Sequence, residues 1–482
     1  MSNISDIKKF VESSKYIYKD IQIPEGGSVS YMNEDLKPFL KDRLTSVQAK
    51  IILDRYDNVF DIGLTKTGFP KAAERDANDD ATNYDAVWVR DAIWVYYYFS
   101  GFKENDAKTL INKLYEYYSS PAQQKRFEDI IANPELAVDK MAVPHIRFDS
   151  SSESYDDVII NGGPQVWNHK QMDAHGLFLL ALNDAYQKQI FNVNDSELLA
   201  FLERFFGFLA SIKYYEYADA GAWEEIDRVN TSSISLVANA AKQWKSTLDN
   251  KNLKLSIDLQ QLSNLGIDKV KTQIASGGES PLYNSDDICY RESDAAMLHI
   301  FTPYFSDGLE FAEYQKSLAL VEDLVRDYGV IRYKGDSYQS GNFWFEDDST
   351  AKESLTDDAS SVEEFAKRAK GRFKDSEAQW FFDSMLALAM MNLYDKYSQK
   401  FDKDKYFNKV AWHLKRALAQ MTTSDYITAD GQPINAELLP ESINVIVFNE
   451  QRYYLPSPIT PLNWAKASLA TALKKFSNYN IV

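Results

Sequence analysis

The chain has 482 residues, 45% of them hydrophobic, a formal net charge of −18 and a lone cysteine, Cys289. This acidic balance argues against nucleic acid and anionic membrane as partners, and a lone cysteine excludes an intrachain disulfide. The 30 Tyr, 27 Phe and 9 Trp suit either an aromatic-filled core or rings that stack on a flat ligand.

The opening stretch "MSNISDIKKFVESSKYIYKD" lacks the apolar run of a signal peptide, and no segment approaches the ~20 apolar residues of a membrane span. The protein is expected to be cytoplasmic, or secreted if a leader has been removed or export follows another route. Helical periodicity then dominates. In chain order, helices are predicted over 5–19, 35–56, 90–101, 104–118, 121–132, 173–188, 196–215, 233–248, 308–328, 376–398, 404–421 and 461–477. In 196–215 the apolar residues Leu198, Leu199, Leu202, Phe205, Phe206 and Leu209 recur at helical spacing. The segment 376–398 is apolar almost all round, as a buried inner helix would be, and Ser376 is its candidate N-cap. Strand signals are confined to 143–149 and 329–345. No Pro-, Gly- or Ser-rich linker interrupts the chain, so one domain over 1–482 is expected, with 1–60 as N-terminal helices packed on it. An all-α fold of this size can be a solenoid or a double-layered α/α barrel.

Six longer connections lie between these helices, at 60–88, 143–172, 212–232, 270–300, 330–362 and 422–460. Long connections in a compact domain are usually functional, and these are crowded with Trp, Tyr, Arg, Asp and Glu. "NYDAVWVRDAIWV" holds Tyr84, Trp88, Arg90 and Asp91. "GGPQVWNHKQMDAHG" holds Trp167, Gln171 and Asp173. "GAWEEIDRVN" holds Trp223, Glu224 and Glu225. "IRYKGDSYQSGNFWF" holds Arg332, Asp336, Tyr338 and Trp344. "LLPESINV" and "PLNWAKASL" hold Glu441 and Trp464. Aromatic faces stack on the C–H face of a sugar ring, while guanidinium forks and carboxylates hold its hydroxyls. Alone, each motif also reads as an ordinary turn or helix start.

In that order the segments resemble the catalytic domain of glycoside hydrolase family 15, the glucoamylases, over about residues 65–475. They also resemble the glucoamylase-like domain of phosphorylase kinase regulatory subunits. The most specific match is "RYKGDSYQSGNFWF". The resemblance implies a single-domain (α/α)6 barrel with long loops at one end, and an exo-acting enzyme that inverts the anomer and releases β-glucose from α-1,4-linked glucans. It implies Glu224 as the general acid and Glu441 as the general base. Tyr84, Trp88, Arg90, Asp91, Trp167, Arg332 and Asp336 would line the subsite of the non-reducing glucose. Glu225 would bind sugar on the leaving side, and Trp464 would pack beneath the base. Trp223, Tyr338 and Trp344 complete the expected binding set.

The base segment reads "PES", nearer the phosphorylase kinase version, and "WEEIDRVN" leans the same way. A catalytically idle glucan-binding or regulatory protein is therefore the alternative, as is a hydrolase of an α-1,6-glucan or trehalose. Burial beside Trp223 and the charge of Glu225 are both expected to keep Glu224 protonated, and Arg90 and Arg332 to keep carboxylates such as Asp91 charged. Glu437 and Glu450 are rival bases. His145, His169, His175, His299 and His413 show no metal-ligand spacing, so neither metal nor cofactor is expected. "RDANDDATNYD" reads as a solvated acidic loop, with calcium as the alternative. The expected partner is an α-glucan or oligosaccharide, met by a monomer.

Overall fold

The structure is a computed structural model. It describes residues 4–74, 84, 86–160, 162–339, 361–448 and 450–482, without the side chain of Phe448. Two kinds of helix alternate along the chain. Val89–Phe102, Met172–Gln187, Thr231–Asn250, Asp383–Tyr397 and Asn463–Ser477 are buried over most of their circumference, and a helix without a polar face has to sit inside. Ser46–Arg55, Glu104–Tyr118, Asp195–Ser211, Leu259–Ser276, Phe311–Glu322 and Lys403–Ala419 bury one stripe and expose the other side. Each amphipathic helix precedes one inner element. After Leu259–Ser276 that element is only a short 3-10 turn, Ala295–Ile300.

The inner elements close a ring. Val89–Phe102 packs on Met172–Gln187, which packs on Thr231–Asn250, and contact continues through Ala295–Ile300, Asp383–Tyr397 and Asn463–Ser477 back to Val89–Phe102. Six outer–inner pairs around one ring make an (α/α)6 barrel. Two inner helices approach closely at Gly176, where a Cβ would lie 2.8 Å from Leu236 Cβ and 2.9 Å from the backbone of Leu236 and Val237.

A small sheet sits at one end of the barrel, in the strand order Gln451–Pro456, Ser442–Phe448, Gln379–Trp380, Val330–Ile331. Its register pairs Ser442 with Trp380 and Trp380 with Val330. Trp380 is thereby set between Ser442, which follows Glu441, and Val330, while Arg332 continues from the other end of the two-residue strand Val330–Ile331.

Several expected elements are redrawn. The helix predicted over 5–19 stops at Val11, and Lys19–Gln22 pairs with Ser28–Tyr31 as a hairpin, whose turn uses Gly26 and Gly27 at positive φ. The helix predicted over 35–56 is broken between Lys41 and Ser46, where Thr45 and Gln48 form a capping box. The helix predicted from 376 begins at Asp383, because Gln379 and Trp380 pair with strands on both sides. Ser376 is not its cap; it donates to Phe373 O (2.7 Å). Leu259–Ser276 was not anticipated: Gly266 interrupts its apolar stripe, and the side chain that stripe lacks is the space filled by Tyr214. Among the described residues no helix is long and apolar enough to cross a membrane.

Replacing Gly176 by Ala should force apart the helices Met172–Gln187 and Thr231–Asn250. Overpacking of this kind costs about 1–3 kcal/mol, to be read as a lower denaturation midpoint; an unchanged midpoint would show that the ring can absorb a methyl group there.

Candidate active site

Each connection from an outer helix to the next inner one delivers its residues to the inner helix's N-terminal end, so the long loops collect at one end of the ring. A pocket opens there. Tyr84, Trp88, Arg90, Asp91, Trp167, Trp223, Glu224, Glu225, Arg332, Tyr338, Glu441 and Trp464 line it. Asp336 stands behind this wall, buried against Arg332. Trp344 and most of the acidic loop 75–85 lie outside the described residues. Ala72, Ala222, Ser337, Phe365, Arg368, Trp380 and Leu462 complete the lining.

Arg90, in the first turn of Val89–Phe102, is buried and holds three segments together. Its Nε donates to Asp173 Oδ2 (2.6 Å), and one terminal nitrogen donates to Gln171 Oε1 (2.5 Å) and Gly221 O (3.2 Å). The other reaches Glu224 Oε1 at 3.4 Å. Its fork therefore faces Asp173 and not its neighbour Asp91. This corrects the expectation for Asp91. Burial is the largest influence on that carboxyl and outweighs Arg90, and with Glu224 and Glu441 nearby it is pushed up to about 7.

The adjacent acids are separated by the backbone. Gly221–Trp223 forms a single 3-10 turn, and Glu224 follows it at φ 60°, in the left-handed region. Glu224 faces Arg90, while Glu225 enters a different cluster. Glu225 Oε1 accepts from Arg332 (2.9 Å) and from Tyr333 Oη (2.6 Å), and its Oε2 lies 3.4 Å from Arg291 and 3.5 Å from Arg228. Burial pushes Glu225 up, but Arg332, Arg291 and Arg228 together hold it below the ordinary carboxylate range. Glu224 is raised by burial, with Arg90 and Arg147 opposing. The expected repulsion from Glu225 is thus not what holds the proton on Glu224, since three guanidiniums neutralise Glu225.

Glu441 is buried at the start of the strand Ser442–Phe448. Tyr84 Oη donates to its Oε1 (2.7 Å), and Tyr338 Oη lies 2.8 Å from Tyr84 Oη. With the Tyr84 proton given to Glu441, Tyr338 is the donor of the second bond. The rival bases are elsewhere. Glu437 pairs with Arg55 (2.9 Å) and Glu450 is exposed, and neither lines the pocket. Trp464 stacks on Trp94 and meets Phe381 edge-on below the pocket.

Several residues escaped the sequence reading. Arg147 pairs across a short ladder with Trp88, and its guanidinium lies 4.6 Å from the Trp88 ring centre and 4.3 Å from that of Trp167. Its signal was present as a charge within the apolar strand 143–149. Arg228 stood three residues after Glu225 in "GAWEEIDRVN" without being singled out, and Arg291 carried no signal, because its partner Glu225 is distant in sequence. Among the described residues, His145, Asp157 and His169 could hold a metal ion. The two rings stack at 3.6 Å, and His145 already uses Nδ1 on Asp157 (2.6 Å) and Nε2 on Met141 O (3.0 Å). Lone pairs of stacked rings run side by side, so the group is built as a hydrogen-bonded buttress.

No family model matches the chain. A stretch of 128 residues, 25% of this chain and 48% of the relative, is 43% identical to the uncharacterized lipoprotein YgeQ of Escherichia coli (strain K12). A probable phosphorylase b kinase regulatory subunit alpha of Caenorhabditis elegans is 24% identical over 221 residues, 45% of this chain and 17% of that protein. The chain therefore matches about half the length of the first relative and under a fifth of the second. Among solved structures, a wild-type glycosidase superposes with a TM-score of 0.55 at 15% identity, covering 89% of this chain and 95% of that one. The glucoamylase of Saccharomycopsis fibuligera gives 0.51 at 13% identity, covering 90% and 96%. The fold is that of the glucoamylase-like helical barrels.

The two acids should respond oppositely to an isosteric amide. Glu225→Gln removes the negative charge shared by three buried guanidiniums, and breaking a buried ion pair from one side costs about 3–5 kcal/mol. Glu225 is held low, so its contribution is present at neutral pH and fades as pH falls through its folded value. Glu224 is held high, so Glu224→Gln should cost at most about 1 kcal/mol at neutral pH. Denaturation midpoints of both variants check this, and equal losses would contradict the separation.

Proposed function

We propose that the protein is an exo-acting, inverting glycoside hydrolase that releases β-glucose from the non-reducing ends of α-1,4-linked glucans. The observation that carries this reading is one aromatic-walled pocket in which two of the lining carboxyl groups stand in unlike surroundings, Glu224 raised by burial and Glu441 bonded to Tyr84.

In this reading Trp88, Trp167 and Tyr84 pack against the terminal glucose, and Arg332 and Asp91 hold its hydroxyls. Asp336 fixes the Arg332 fork with contacts of 2.6 and 2.7 Å. Glu225 orients the same guanidinium from the leaving side. Glu224 donates its proton to the glycosidic oxygen as the bond from the anomeric carbon to that oxygen breaks. A water molecule attacks the anomeric carbon from the opposite face, and the Glu441 carboxylate takes its proton. The sugar alcohol leaves neutral, glucose leaves as the β-anomer, and the two carboxyls exchange protonation states before the next turn.

A second reading is favoured by one observation, the match to a phosphorylase kinase regulatory subunit. The chain would then bind a glucan without cleaving it. A hydrolase of α-1,6-linked glucan or trehalose is the third.

Incubation with maltooligosaccharides, isomaltose and trehalose, with the released anomer followed by NMR, separates the three. β-Glucose should appear first, and Glu224→Gln and Glu441→Gln should each lower kcat by about 100- to 10,000-fold. Activity should fall as pH rises and Glu224 loses its proton, at a pH above the ordinary carboxylate range. α-Glucose as the first product would refute inversion, and binding without release would favour the regulatory reading.

A further inference from the structure

The helix Val362–Gly371 meets the rest of the protein in an unusual way. Of its ten residues only Phe365 and Arg368 are buried, at 7% and 3% exposure, while Val362 is 60% exposed. Three residues apart, the two share one helix face. Outer helices normally dock through an apolar stripe. Here the docking face is one ring and one guanidinium, Phe365 belongs to neither hydrophobic cluster formed among the described residues, and both side chains line the same pocket as Glu224 and Glu441.

Their position relative to the two acids is set by contacts. The Arg228 guanidinium lies 5.2 Å from the Phe365 ring centre and reaches Glu225, so Phe365 stands on the Glu225 side. Glu441 is bonded instead to Tyr84, whose ring lies 5.4 Å from Trp88. Inversion places base and leaving group on opposite faces of the anomeric carbon. The wall facing away from Glu441 is therefore where the leaving sugar goes. Phe365 also forms part of a second cavity, lined with Tyr290, Arg291, Tyr333 and Lys334, so its ring is the partition between the two.

We propose that Phe365 and Arg368 form the subsite for the leaving sugar, and that by closing the pocket at Phe365 they select short α-linked gluco-oligosaccharides with one neutral ring beyond the scissile bond. Phe365 supplies a stacking face, and Arg368 supplies donors to the ring's hydroxyls. The proposal rests on the hydrolase reading above.

The test compares the full chain with Phe365→Ala and Arg368→Gln on maltose, maltotetraose and α-glucosyl fluoride, whose leaving group is a single atom. In each variant the ratio of kcat/KM on maltose to that on the fluoride should fall about 10-fold or more, the loss that accompanies a removed sugar contact. Phe365→Ala should also raise maltotetraose relative to maltose, as the two cavities join. Equal losses on maltose and the fluoride, or an unchanged ratio, overturn the subsite. A wild-type preference for maltotetraose over maltose of about 10-fold or more overturns the length selection. If the wild type turns over none of the three, the hydrolase reading itself has failed, and calorimetry decides the subsite. The wild type should bind maltose more tightly than glucose and Phe365→Ala should lose that advantage; no advantage, or one the variant keeps, overturns the subsite.

Discussion

A single left-handed residue organises the pocket. With Glu224 at positive φ after the turn Gly221–Trp223, two consecutive carboxyl groups point into opposite surroundings. One meets a single, distant guanidinium contact and is dominated by burial; the other is locked by Arg332, Arg291 and Arg228. Had the turn continued as a helix, these neighbours would lie only about 100° apart around its axis. The turn is supported by Gly221, whose missing Cβ leaves room for Asn230 2.7 Å away, and Asn230 in turn binds Asp219 (2.9 Å). The difference in protonation between neighbours thus begins in backbone conformation.

The guanidiniums do the corresponding work between segments. Arg90 joins segments 83 and 131 residues further along the chain, by reaching Asp173 and the carbonyl of Gly221. Arg332 joins Asp336 to Glu225 and lies over the rings of Trp223, Tyr338 and Trp380, at 5.3, 4.8 and 5.4 Å. Buried charges of this kind are retained only where they are satisfied from several directions. Each therefore requires that several loops be folded at once, which gives the pocket one arrangement.

Much of this was legible in the sequence, for a physical reason. Inner and outer helices differ in periodicity, so 173–188 and 196–215 declare their layers. The long loops carry aromatic and charged residues that no helical core would need. What was hidden depends on partners distant in sequence. Nothing in "SEAQWFFDS" says that Gln379 and Trp380 are strand, since their neighbours Ile331 and Ser442 lie in other loops. Arg291 is unremarkable until Glu225 is placed beside it. The charge state of Asp91 was misread because adjacency to Arg90 suggested a pair, whereas the fork geometry assigns Arg90 to Asp173.

The barrel's construction gives its inner ring a direction. Val89–Phe102, Met172–Gln187, Thr231–Asn250, Asp383–Tyr397 and Asn463–Ser477 all begin at the pocket end. Each helix start is equivalent to roughly half a positive charge, so five axial dipoles converge beneath the carboxyl groups. An acidic protein of net charge −18 thereby carries partial positive charge from its backbone beneath the carboxyl groups of the pocket. The opposite, carbonyl-bearing ends of the same helices face the other mouth of the ring, so the backbone contributes opposite signs of charge at the two ends of one barrel.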